Sequence, residues 1–179
     1  QMLKLTFNKK GKGQPYYLLR MKYYPKGELP SIARGFEVKR EYKPLDGSDW
    51  KGYFEAGKKY MVEITVKNTQ ERHFVMLNDY LPAGLRVLNP AFKTTSAKDL
   101  QKTSRGSWWG SWWGGFYRSE IYFDSVRVFA EYLRAGTHKW TYLTEANTYG
   151  KFSAPGTYVE EMYNQEVFGR SEKKNIVVK

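Results

Sequence analysis

The chain has 179 residues, 41% of them hydrophobic, which suffices for one large domain or two small ones with a proper core. It contains no cysteine, and this excludes a disulfide framework, a thiolate zinc site and a cysteine nucleophile. A net charge of +12 admits acidic partners, but the lysines alternate with apolar residues as they do on the solvated face of a strand. We therefore expect no nucleic-acid partner.

Alternation of apolar and polar residues dominates the chain and predicts β-strands. In chain order, the predicted strands are Leu3–Phe7, Gln14–Tyr24, Arg34–Lys43, Tyr60–Lys67, His73–Tyr80, Leu85–Leu88, Ile121–Phe123, Ser125–Tyr132, His138–Ala146 and Asn175–Lys179. Turn residues separate them at intervals of roughly ten residues, which is typical of a sandwich or barrel. The best candidate for helix is one short turn at Thr94–Lys102, so we predict an all-β, antiparallel β-sandwich.

The alternation also predicts which side chains share a face of each strand. Within Arg34–Lys43, the residues Phe36, Val38 and Arg40 lie on one predicted face. In the next strand, one face carries Tyr60, Val62, Ile64 and Val66.

A Trp/Gly-rich insertion at about Ala91–Gly115 interrupts this rhythm. Its glycines disfavour a regular strand, and it carries four tryptophans within six residues, namely Trp108, Trp109, Trp112 and Trp113. Four such side chains cannot all be exposed without cost, because each buries a large apolar area on finding a partner. The segment therefore predicts either a lid or neighbouring-domain contact, or an aromatic platform for a sugar or a base.

The residues needed for catalysis do not assemble into a constellation. His73 and His138 are the histidines of the chain, and neither has a metal-ligating partner at a fixed spacing. Glu160 and Glu161 are adjacent, so on a strand their carboxylates point to opposite faces and cannot flank one bond. We expect no catalytic residue, no metal and no cofactor, and we predict that the chain is not an enzyme.

Several short segments carry a family resemblance through their order and spacing. They are Gly13–Tyr17, Asn78–Leu85, Asp124–Ala130, Leu133–His138, Tyr142–Ala146, Gly150–Phe152, Pro155–Tyr163 and Val167–Arg170. Together they resemble the C-terminal macroglobulin domain of bacterial α2-macroglobulins over nearly the whole chain. The resemblance implies a single macroglobulin-like β-sandwich over residues 1–179, with the insertion at about 91–115.

The same resemblance implies a function without catalysis. In the family, such a domain packs on a thioester domain and shields it until a protease cuts a bait region. The family's shielding loop maps here to Glu161, Met162 and Tyr163. An apolar methionine beside an aromatic tyrosine can exclude water from a thioester, whereas the alternative is two core residues at a strand end.

The implied partners are the thioester and neighbouring macroglobulin domains of the parent chain, and target proteases through that parent. A peptidoglycan-synthesising penicillin-binding protein is a further implied partner. The implied location is the periplasm or the cell surface, with a membrane-anchored parent whose signal lies outside this chain.

Two other function classes stay open from the residues alone. A carbohydrate-binding module would use Trp108 and Trp112, and it predicts saturable polysaccharide binding that is lost when they become alanine. A basic nucleic-acid-binding β domain predicts an affinity that falls steeply with salt.

Overall fold

A computed structural model of the chain describes residues 4–21, 27–88 and 115–179. Within those ranges the regular structure is β throughout, and no helix is long and apolar enough to cross a membrane. The strands are Ile32–Arg34 (β1), Glu37–Pro44 (β2), Lys59–Asn68 (β3), Arg72–Tyr80 (β4), Leu85–Val87 (β5), Arg118–Ile121 (β6), Ser125–Leu133 (β7), Gly136–Ala146 (β8), Gly150–Ala154 (β9), Tyr158–Glu161 (β10), Asn164–Arg170 (β11) and Lys174–Val178 (β12). The predicted all-β class is confirmed.

These strands form a six-stranded sheet in the order β1-β11-β10-β4-β7-β6 and a four-stranded sheet in the order β2-β3-β8-β5. A two-stranded sheet pairs β12 with β9. The strand pairs are antiparallel, as predicted. The chain passes from the first sheet to the second between β1 and β2, where only Gly35 and Phe36 intervene. Gly35 has φ +101°, a left-handed conformation that favours glycine.

The main core lies between the two larger sheets, because each contributes the apolar face of its strands. Phe36 of the link and Val38 of β2 meet Val75 and Leu77 of β4 and Val159 of β10 in one buried cluster. The predicted face of β3 is confirmed, since its apolar side chains are buried: Tyr60, Val62, Ile64 and Val66. Full burial of such a side chain contributes about 1.5–3 kcal/mol.

A second cluster lies under the two-stranded sheet. Phe54 and Tyr60 pack there edge to face, with ring centroids 4.8 Å apart, against Ile176 and Val178 of β12. The two-stranded sheet is therefore held to the sandwich by apolar packing.

Two predicted strands at the start of the chain are wrong. Residues 4–7 and 14–21 lie outside every described strand and are exposed. A strand needs a neighbour to accept and donate its backbone hydrogen bonds, and alternation alone does not supply one. The predicted strand at Ile121–Phe123 is displaced: β6 ends at Ile121, and Phe123 lies in a bend.

Candidate functional site

The predicted shielding loop forms the tip of a β-hairpin. Glu161 at the end of β10 pairs with Asn164 at the start of β11, which leaves Met162 and Tyr163 as a two-residue turn. Met162 is half-buried, whereas Tyr163 is 82% exposed. The alternative of two core residues at a strand end is therefore wrong for Tyr163, which projects from the molecule.

This tip is held mainly by β4. The Met162 backbone N–H donates to the Phe74 carbonyl oxygen at 2.9 Å, and the Phe74 and Tyr163 rings meet edge to face at 5.2 Å. On the other side, the ladder between β10 and β11 shifts register beside the turn, leaving residues 165–167 outside it. The conformation of the turn therefore depends on Phe74 more than on β11.

Phe74 itself has an unusual backbone conformation. Among the described residues other than glycine, it alone has a positive φ, 51°. For a bulky side chain this left-handed conformation costs about 1–2 kcal/mol. The ring is nevertheless 47% exposed, so burial compensates for only part of that cost.

Glu161 faces inward from the same tip. Its carboxylate Oε1 lies 3.7 Å from Arg72 Nη1, and both side chains are largely buried. The Arg72 guanidinium in turn lies 5.8 Å from the centroid of the Phe36 ring. Glu161 thus ties the turn to β4 and to the link between β1 and β2, while Tyr163 points away.

A buried polar cluster joins the two large sheets at the opposite end of β4. The fully buried Asp79 carboxylate accepts from Arg40 Nη1 at 2.7 Å, from the Tyr142 hydroxyl at 2.6 Å and from the Thr157 hydroxyl at 2.7 Å. Arg40 Nη2 donates to the Pro155 carbonyl at 2.7 Å. Since Arg40 and Tyr142 come from the four-stranded sheet, the cluster crosses the sandwich.

Electrostatics favour the protonated forms of Arg40 and Tyr142 in this cluster. Burial disfavours the charged Arg40 guanidinium, but the Asp79 charge, the nearby Tyr42 and Tyr142 and the hydrogen bond to Asp79 together outweigh this and hold its pKa above the usual range. Burial, and then the Asp79 charge, raise the pKa of the Tyr142 hydroxyl well above its usual range. The arrangement is an ion pair with matched donors, which stabilises the fold.

Stability should therefore decline at alkaline pH, and Tyr142→Phe should reduce that decline. Above about pH 10, tyrosines of the unfolded chain lose protons. Tyr142 retains its proton in the fold, and burial raises the pKa of Tyr158 to about 12. The folded state then binds more protons than the unfolded state, so the free energy of unfolding falls as pH rises. Urea unfolding at neutral and alkaline pH should give a smaller loss in the Tyr142→Phe variant, which starts about 1–3 kcal/mol less stable. Equal losses in both proteins would contradict this.

A model of the Bacterial Alpha-2-macroglobulin MG10 domain matches residues 35–166, most of the chain. The chain belongs to this family. An alpha-2-macroglobulin homolog from Nostoc sp. is 28% identical over 185 residues, covering 97% of this chain and 9% of the relative. The chain therefore spans about a tenth of that protein.

Solved structures contain the same fold within much longer chains. Trypsin-activated alpha-2-macroglobulin from Escherichia coli superposes with a TM-score of 0.71 at 19% identity, covering 84% of this chain and 11% of that one. Salmonella alpha-2-macroglobulin reacted with methylamine gives 0.70 at 19% identity, covering 87% of this chain and 10% of that one.

The structure brings only part of the predicted site together. Glu161, Met162 and Tyr163 are adjacent at the hairpin tip, whereas the tryptophans at 108, 109, 112 and 113 and the helical turn at Thr94–Lys102 lie outside the described residues. Within the described ranges, no group of histidine and carboxylate side chains could hold a metal ion.

Sequence reasoning missed two features of this MG10 domain. Arg40 on an apolar face was a signal for a buried ion pair, but its partner Asp79 lies 39 positions away. Phe74 carried no signal, because nothing in a strand-like sequence marks a residue with positive φ.

Proposed function

We propose that this chain is the non-catalytic domain of a bacterial α2-macroglobulin-like protease inhibitor that packs on a thioester domain and shields it until the bait region is cut. The projecting turn of Met162 and Tyr163 carries the proposal. A thioester survives only if water is kept away, and an aromatic ring with an apolar neighbour can cover it at modest size.

The geometry supports this role in two ways. Tyr163 is displayed on a short turn whose backbone is fixed by β4, so its ring can be presented to a partner with little loss of conformational entropy. Glu161 faces the interior and anchors the turn through Arg72. We assign Tyr163 and Met162 to the contact and Glu161 to its support.

The reaction that tests the proposal is aminolysis. Methylamine attacks the thioester carbonyl, a C–N bond forms as the C–S bond breaks, and the cysteine leaves as a thiol after proton transfer. The Salmonella relative was itself reacted with methylamine. Release of thiol therefore reports how well the thioester of a full-length protein is covered.

In the full-length protein, Tyr163→Ala is expected to release thiol about tenfold faster than the wild type, because a central aromatic contact carries much of the binding energy of an interface. Tyr149→Ala is the matched control, since Tyr149 is 73% exposed in the turn between β8 and β9. Thiol is measured with a chromogenic disulfide during methylamine treatment. Equal, measurable rates for all three proteins would overturn the shielding role, and no thiol from any of the three, even after unfolding in methylamine, would show a parent without a thioester.

The proposed function also implies partners and a cellular location. We propose that residues 1–179 act as one domain in a periplasmic or cell-surface protein, with target proteases met through the parent. A penicillin-binding protein as a further partner is tested by co-purification with the full-length protein. Recovery of the parent without that enzyme would remove it from the proposal.

A further inference from the structure

A pocket of about 330 Å³ opens beside the hairpin tip, on the face of the six-stranded sheet turned away from the core. Its apolar lining comes from Phe74 of β4, Phe129 of β7, Tyr117 just before β6, and Met162 of the turn. We call it the Phe74 pocket. Met162 lines the pocket and Tyr163 packs on Phe74. A domain that covers the turn would therefore also cover the pocket.

The charged groups around the Phe74 pocket already have partners within the chain. Arg118 Nη2 lies 2.6 Å from Glu120 Oε1, and Glu131 Oε1 accepts from the Tyr117 hydroxyl at 3.3 Å. Arg118, the cation of the lining, is thus neutralised by Glu120, whereas the Glu131 carboxylate has only a neutral hydroxyl as its partner. Apart from Glu131, the chemistry left for recognition is the apolar lining, which fits an aliphatic or aromatic side chain.

The mouth of the pocket has the exposed apolar residues and polar border of a protein interface. Phe74 is 47% exposed, Tyr117 46% and Tyr163 82%, and the polar side chains of Arg118, Glu120 and Glu131 lie beside them. Apolar surface bordered by polar groups is typical of contact sites. The left-handed backbone of Phe74 adds a second observation, since such conformations persist where function requires them.

We propose that the Phe74 pocket receives one apolar side chain from an adjoining domain of the same longer chain, and that Phe74 is a positioning residue for Tyr163. This inference rests on the proposed shielding function and names the surface that performs it. The occupant is assigned to the parent chain because relatives of this domain are about ten times longer, and a tethered partner is present at high effective concentration.

Photo-crosslinking tests the occupant without reference to a thioester. In the full-length protein, p-benzoylphenylalanine replaces Tyr117 at the pocket mouth or, as the control, Tyr149 at the turn between β8 and β9. We expect irradiation of the first protein to join this position to a peptide outside residues 1–179, and the control to give no such product. No crosslink from position 117, or the same crosslink from both positions, would overturn the proposal.

The variant Phe74→Gly tests the positioning role. Glycine tolerates φ 51°, so loss of the ring should leave the melting temperature unchanged or higher. Thiol release in methylamine should nevertheless be about tenfold faster, as in Tyr163→Ala. A lowered melting temperature, or an unchanged thiol release beside a fast Tyr163→Ala, would overturn the role of Phe74.

The crosslinking and thiol-release experiments distinguish failure of the pocket contact from failure of thioester shielding. If position 117 crosslinks but Tyr163→Ala leaves thiol release unchanged, the pocket contact holds and shielding of a thioester fails. If Tyr163→Ala releases thiol quickly but position 117 does not crosslink, shielding holds and the pocket contact fails.

Discussion

Asp79→Ala is expected to lower the free energy of unfolding by about 3–5 kcal/mol, the usual effect of removing one partner from a buried ion pair. The substitution leaves the Arg40 guanidinium buried without a counter-charge. It also leaves the Tyr142 and Thr157 hydroxyls without their acceptor. Each of these groups was taken from water on folding, so the loss exceeds that of a single hydrogen bond.

Urea unfolding of residues 1–179 at neutral pH measures this effect. Asp49→Ala is the control, because Asp49 is exposed, and it should change the stability by less than about 0.5 kcal/mol. In the double variant Asp79→Leu with Arg40→Met, stability should return in part, since no charge is left unpaired but the Tyr142 and Thr157 hydroxyls still lack their acceptor. A loss below about 1 kcal/mol for Asp79→Ala would mean that water or another group takes over from the carboxylate.

Gly169→Ala is expected to cost about 3 kcal/mol for a different reason, the close approach of two backbones. A Cβ at Gly169 would lie 2.2 Å from the Phe36 carbonyl oxygen. Gly169 is paired with Val159 on one side and with Ala33 on the other, so β11 cannot retreat without disturbing both neighbours. Inserting an atom into such a site forces backbone shifts.

Thermal and urea unfolding of Gly169→Ala provide the measurement. Gln165→Ala lies on the same strand in an exposed position and should be close to neutral. A neutral Gly169→Ala would show that the link at Gly35 and Phe36 can move away from β11.

The parts of the fold that follow from side-chain burial could be predicted from the sequence. The alternation in β2 and β3 predicts which side chains are buried on folding. It placed Arg40 on the same face as Phe36 and Val38. The family segment containing Asp79 was recognisable as a pattern. Its physical role depends on a contact between strands that are far apart in sequence, which no local pattern encodes.

The prediction failed where pairing, rather than burial, decides the structure. The alternating stretches at the start of the chain look like strands but have no partner among the described residues. Conversely, β10 and β11 form a hairpin although their sequence is polar and its turn is Met162-Tyr163 rather than Asn-Gly. Both strands are held by hydrogen bonds to each other, and further by the pairing of β10 with β4 and of β11 with β1.

The short link between β1 and β2 has a mechanical consequence for the sandwich. With only Gly35 and Phe36 between the sheets, and β1 hydrogen-bonded to β11, a force applied at Tyr163 acts on both layers of the sandwich together. The layers cannot shear past one another unless β1 is peeled from its neighbour. A force on the tip would thus move the sandwich as one body rather than bend the tip.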